Sequence, residues 1–377
     1  MEACYFLILY WLVFWKDILA KPWRLSTSEL ASTFFPHWLW MGRKWRWRDS
    51  IFYKFPACIP FLSMFYPGHV LSAIVGRCIP GLDGKFRVFA VSILLHYLLG
   101  SFISFAMFRQ SFGVVESLFG AITLTYCAYA IKPQTPAAVY TFCWMPGMLI
   151  NGWFGALSCG MALLGGYWPV LIYFLPLAFW VNPSSSFGIV LAVPQIACFL
   201  WYWPKSVRSG RKWGPEGRVP LWKLGCFALP FRGLSSTNGV HYPEMACYMG
   251  AACFLIFHVS AWWLPLSAAL LVSLGILPAI QRIPARALYL ASAAIAYLAV
   301  QGLSAVPSLA TSLLILQCFL LLRNSSIYPS FPFSQWYDKP SILYAKYKDK
   351  AKWPHFSGYL DEEHHADYQG DFRLKSA

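Results

Sequence analysis

Two stretches of this chain, Val88 to Phe108 and Ala287 to Ala305, contain no Asp, Glu, Lys or Arg at all. Each is close to the ~20 residues that carry a helix across ~30 Å of hydrocarbon. In lipid a backbone must satisfy its own hydrogen bonds, so such stretches have to become helices. Composition generalises the point: of 377 residues, 58% are hydrophobic and only 12% charged, which excludes a disordered chain and argues against a soluble globular domain.

Hydropathy predicts an all-α, polytopic transmembrane bundle. Further apolar runs fall at 3–15 (or on to Ala20), 112–131, 137–164 (two short pieces if broken at Pro146 to Gly152), 167–181, 187–203, 245–263, 264–280 and 307–323, the second stretch above lying in a run at about 285–304. That predicts about ten to eleven spans. The run from Ala3 to Trp15 lacks a preceding basic residue and a small-residue cleavage site, so it reads as a retained span rather than a signal peptide. The bundle is expected over residues 1–323, with a first external loop at about 16–86, a basic loop at about 204–244, and a polar tail over 324–377. Within the first loop, Ile59 to Val75 is apolar but interrupted by Pro60, Pro67 and Gly68, which suits an interfacial or re-entrant helix. The tail is too short to bury a core of its own without staples.

Thirty Lys and Arg against fifteen Asp and Glu leave a formal charge of +15. In a membrane protein that balance points to anionic lipid head groups or phosphates as partners, not to nucleic acid. The cations before Lys54 and those of the loop from Lys205 to Arg232 both read as cytoplasmic by the positive-inside rule. An odd number of spans between them forbids that, so either 137–164 is two spans or one loop is basic because it binds phosphate.

Few carboxylates are available for chemistry. Glu29 lies in Ser28-Glu29-Leu30 ahead of Phe35-Pro36-His37-Trp38, an acid at the membrane boundary followed by the Trp-rich basic run Met41 to Asp49; it either works beside an anionic lipid or balances Arg24. The run's Arg43, Arg46 and Arg48 alternate with tryptophans, as suits guanidinium groups forking onto phosphates or an interfacial anchor. Glu116, in the otherwise uncharged Phe112 to Gly120, is costly unless it lines a polar cavity or starts its span at head-group level. Glu244 closes the basic loop in His241-Tyr-Pro-Glu. His96 and His258, in apolar runs, read as packing residues, as do the eleven cysteines, although Cys58 and Cys78 flank a surface segment and could pair in an oxidising compartment. The tail's Glu362 to Asp367 reads as a solvated charge run, and no metal site is expected. The phosphate-loop, dinucleotide, zincin and nucleophile-elbow motifs are all absent.

Four local patterns carry a family resemblance. They are Glu29-Leu30 with Phe35-Pro36 and Trp38; Gly42 and Trp47 with Ile59-Pro-Phe-Leu62 and Tyr66-Pro67; Leu95-His96 with Gly100; and Tyr242-Pro-Glu244 to Tyr248-Met-Gly250 with Arg282-Ile-Pro-Ala-Arg286. In this order, and over most of residues 20–305, the sequence resembles the YfhO-like family of bacterial multi-pass membrane proteins, of the GT-C class of glycosyltransferases. The resemblance implies a GT-C type bundle in the bacterial cytoplasmic (inner) membrane and a polyprenyl-phosphate-linked sugar as donor. An acceptor hydroxyl would attack the sugar C1 while polyprenyl phosphate leaves. The acid of the first external loop, here Glu29, would be general base or metal-associated carboxylate, which leaves a divalent cation open as cofactor. Arg43, Arg46 and Arg48 would stabilise the leaving phosphate, with His37, Glu116 and Glu244 as secondary candidates. The chain departs from the family in carrying Glu where Asp is usual, and in its short length. A transporter or flippase of a lipid-linked or anionic substrate, using Glu116 and the break near Pro146, and a non-catalytic membrane scaffold are the rival readings.

Overall fold

The computed structural model describes residues 2–25, 34–41, 63–131, 135–202, 219, 221–228, 248–256, 258, 260–277 and 284–325. The described residues are helical, with no strand among them. Among the described residues, three segments are long and apolar enough to cross a membrane. They are α1 (Glu2–Ala20), Asp83–Arg109 within α4 (Leu82–Arg109), and Pro183–Trp201, a 3-10 turn run that continues into α10 (Val193–Tyr202).

The other described helices fall on either side of α4. Before α4 come α2 (Phe35–Met41) and α3 (Pro67–Arg77); after it come α5 (Val114–Tyr126), α6 (Ala128–Ile131), α7 (Pro136–Trp144), α8 (Trp153–Gly165) and α9 (Trp168–Val181). The C-terminal part holds α11 (Trp263–Ser273), α12 (Leu288–Ser304) and α13 (Pro307–Ser325).

Several predicted spans are interrupted, for visible reasons. The 112–131 run divides where Cys127 leaves helical backbone, at ψ 154°. The apolar run at 245–263 is not one helix: Gly250 turns at φ 97°, the 3-10 turn Ala251–Leu255 follows, and regular helix resumes only at Trp263. His258, expected inside that span, is exposed and lies outside any helix. Helix α1 runs on to Ala20, the longer of the two ends the sequence allows, and α4 takes Asp83, Lys85 and Arg87 into its first turns. Of the basic loop, Val219 and the turn Leu221–Phe227 are described; Val219 N–H bonds to Ser273 O at 2.9 Å, and Met249 N–H to Phe227 O at 2.9 Å. Cys127, Cys143, Cys159 and Cys253 are buried as expected, whereas Cys4 and Cys78 are exposed with free thiols. Cys58 lies outside the described residues, as does the tail from 326.

The break at Pro146 to Gly152 falls where the sequence places it. Helix α7 ends at Trp144, a 3-10 turn covers Pro146–Leu149, and Gly152, at φ 79°, starts α8. The two helices form an antiparallel hairpin: Thr141 Oγ donates to Ala162 O at 3.2 Å near its open end, and Gly147 faces Ser158 near its tip. With 9 and 13 residues, at ~1.5 Å per residue, neither arm reaches across ~30 Å of hydrocarbon. Exposed Trp153, Trp180 and Phe187 surround the tip, and aromatic rings favour head-group level.

Between lipid-facing helices there is little hydrophobic drive to associate, so close approach and polar bonds must hold them. Helix α1 seats on α4 with Trp11 Nε1 donating to Leu94 O at 2.7 Å. Tyr10 packs edge-on against Tyr126 of α5 at 5.0 Å. Gln317 of α13, fully buried, donates to Thr123 Oγ of α5 at 3.0 Å. Helix α3 is inside out for a soluble protein: His69, Ser72 and Gly76 face inward, while Leu71, Ile74 and Val75 are exposed.

Candidate functional site

Four helices converge on a buried histidine and tyrosine cluster. Helix α2, of sequence Phe-Pro-His-Trp-Leu-Trp-Met, turns Phe35, Trp38 and Met41 to the same side, three residues apart. Phe35 meets Phe86 edge-on at 5.0 Å, and Trp38 lies 5.5 Å from Phe89. Trp38 Nε1 donates to Ser72 Oγ of α3 at 2.9 Å. The indole fits only because residue 76 is glycine, since a Cβ there would come within 2.1 Å of the ring. Arg77 secures the other end of α2 by donating to Met41 O at 3.4 Å.

This docking brings His37 of α2 over His69 of α3, with rings 6.1 Å apart and inclined by 12°. Both side chains are fully buried. His69 Nδ1 is 3.0 Å from the Tyr140 hydroxyl of α7. Tyr140 stacks on Tyr66 at 4.3 Å and packs against His96 of α4 at 4.4 Å. The Tyr66 hydroxyl accepts from Trp144 Nε1 at 2.8 Å, which ties the cluster to the end of α7. His96 Nδ1 donates to Ser92 O at 2.6 Å, because a carbonyl can only accept. Its Nε2 passes Gly68, where a Cβ would approach to 2.9 Å. Burial lowers His37 from 6.5 to about 3, and burial, then the imidazoles of His37 and His96, lowers His69 well below 6.5.

Below the cluster, Ser92, His96, Gly100 and Ser104 follow one another at four-residue spacing along one face of α4. His96, Gly100 and Ser104 line a small, mostly apolar cavity with Tyr97, Thr125 and Cys143. Ser104 and Thr125 hydroxyls face each other across it at 3.5 Å.

Of the residues singled out in the sequence, Glu29, Arg43, Arg46, Arg48 and Glu244 lie outside the described residues. His37 is in the cluster. Glu116 occupies the first turn of α5, half-buried beside Gly113, so it stands at a helix end and not midway along one. His69, Tyr140 and Tyr66 are the cluster members that sequence reasoning passed over. Their signal was in α3 itself: His69 and Ser72 share a face while the apolar residues between and after them take the other. Among the described residues no three His, Cys, Asp or Glu side chains converge as a metal site.

The fold is that of an α-helical protein with segments able to cross a membrane. No family model, no curated protein and no solved structure matches the chain.

Proposed function

We propose that the chain is an integral glycosyltransferase of GT-C type in the bacterial cytoplasmic membrane, moving a sugar from a polyprenyl-phosphate carrier to a cell-envelope acceptor. The observation that carries this reading is the polar cluster beneath α2. In sequence, α2 separates the acid Glu29 from the cations Arg43, Arg46 and Arg48, the residues assigned to base and phosphate binding. Imidazoles gathered in an apolar bundle at that point are costly to bury, and ionisable groups within membrane proteins mark substrate paths among other roles. The chemistry needs one base for the acceptor hydroxyl and fixed positive charge for the departing phosphate, and the same stretch of chain supplies both.

A transporter draws support from the broken α7–α8 hairpin, since interrupted helices line substrate sites in transporters. Its acid, Glu116, stands at a helix end, which gives that reading less.

The test is transfer of labelled sugar from a short polyprenyl-phosphate donor by the purified chain and by Glu29→Gln. Glutamine keeps the shape and removes the base, so transfer is expected to fall at least ~100-fold, the scale of a lost general base. Equal rates in the two proteins would reject Glu29 as the base, and no transfer by the wild-type chain with any polyprenyl donor would reject the function.

A further inference from the structure

Every polar atom of His69 but one is accounted for. The ring is held by the Tyr140 hydroxyl at Nδ1, 3.0 Å away. It is also held by the parallel ring of His37 at 6.1 Å and by the edge of Phe89 at 6.4 Å. The remaining nitrogen, Nε2, is fully buried and has no hydrogen-bond partner among the described residues. Leaving a buried polar atom unmade is costly, and an apolar ring of the same shape would avoid it. An imidazole with one nitrogen fixed by a neighbour and the other left open is how proteins prepare a histidine for a ligand, because the fixed bond sets both tautomer and direction.

The tautomer decides the kind of ligand. The 3.0 Å contact fits either direction of donation; when the Tyr140 phenol donates to Nδ1, the neutral ring carries its proton on Nε2, which is then a donor in need of an acceptor. None of the described carboxylates Glu2, Asp17, Asp83 and Glu116 bonds to His69. The neighbouring group is a second imidazole, which brings no negative charge. A buried donor in such company suits an anionic oxygen, and a phosphate above others.

We propose that His69 Nε2 binds a phosphate oxygen of the lipid-linked donor, with α2 as the cover that closes over it. The proposal rests on the glycosyltransferase reading for the identity of the phosphate, and on the His69 geometry for the site. Helix α2 is only 7 residues long; its rings Phe35 and Trp38 rest on α4, and it is fastened to α3 by two side-chain bonds, Trp38 to Ser72 and Arg77 to the Met41 carbonyl.

The experiment uses the full chain in nanodiscs and a short-chain polyprenyl monophosphate, with binding read from tryptophan fluorescence. Inorganic phosphate is the parallel probe. Asparagine places its amide near the position of Nδ1 and glutamine near that of Nε2, so the two substitutions separate the atoms. His69→Asn is expected to weaken polyprenyl phosphate at least ~10-fold, one charge-assisted hydrogen bond, and His69→Gln to stay within ~3-fold of wild type. As a measurement independent of any variant's folding, the wild-type chain with nitrogen-15 histidine should show one Nε2 resonance moving on addition of the lipid.

A wild-type chain that binds the lipid while His69→Asn binds equally well, or while no histidine resonance moves, overturns this inference and leaves the glycosyltransferase reading intact. Binding of inorganic phosphate as tight as that of the lipid overturns the assignment to a lipid-linked donor. A wild-type chain that binds no polyprenyl phosphate overturns both.

Discussion

The side-chain amide of Asn182 donates to Ile150 O at 2.6 Å and to Met148 O at 3.2 Å, so the residue that ends α9 also closes the tip of the α7–α8 hairpin. These carbonyls fall where helix has stopped and no helical N–H can reach them. Ser184 completes the arrangement, with its hydroxyl against Asn182 Oδ1 and Gly152 O. The amide has room because residue 155 is glycine; a Cβ there would lie 2.1 Å from Asn182 Nδ2. Away from water, irregular backbone persists only when protein groups satisfy it in this way.

Asn182→Ala should therefore destabilise the chain by about 1–3 kcal/mol, the cost of leaving buried acceptors unmade. Thermal unfolding in detergent measures the loss, and limited proteolysis should show new cleavage between Pro146 and Gly152. Unchanged melting and an unchanged cleavage pattern would mean that the tip is held by something else.

How much of this was legible beforehand differs from element to element. Proline and glycine announce themselves, so the break at Pro146 to Gly152 was readable as composition. The run at 245–263 was not, because hydropathy registers apolar residues and cannot register that Gly250 takes φ 97° to keep its backbone against Gln317. The site was half legible. His37 was a secondary candidate through the family resemblance, but its partner His69 comes 32 residues later, and Tyr140 71 residues after that. Such contacts are set by how α2, α3 and α7 pack, and no local pattern encodes them. Only the inverted polarity of α3 could have marked His69 in advance.

A close backbone contact gives a second expectation. A Cβ on Gly188 would lie 2.0 Å from Ala156 O and 2.7 Å from Gly160 N, so the turn run Pro183–Ala192 touches α8 backbone to backbone. Side chains could rotate away from such an intrusion, but backbone cannot. Gly188→Ala should cost about 1–3 kcal/mol, as overpacking does, with the loss read from melting temperature. Gly225→Ala is the control, since a Cβ there meets nothing within 4 Å, and it should leave the melting temperature within error. Equal effects at the two positions would show that the contact does not hold the helices together.

The stacked histidines set a pH dependence whose sign follows from their burial. Burial takes His37 from 6.5 to about 3 and moves His69 in the same direction, so the folded chain refuses protons that the unfolded chain accepts. Above pH 6.5 neither form is protonated and these residues add no pH dependence. As pH falls below 6.5 the unfolded chain gains progressively, by at most ~1.4 kcal/mol per pH unit for each histidine, and the contribution of His37 levels off near 3. Because His37 is carried by α2, the first structure lost should be the docking of that helix on α3, visible as a change in the fluorescence of Trp38 at the interface. Melting temperature measured from pH 8 down to 5 should hold steady and then fall for the wild-type chain. It should fall less steeply for His37→Gln and His69→Gln, which have nothing to titrate. Parallel curves for all three proteins would place the acid sensitivity elsewhere in the molecule.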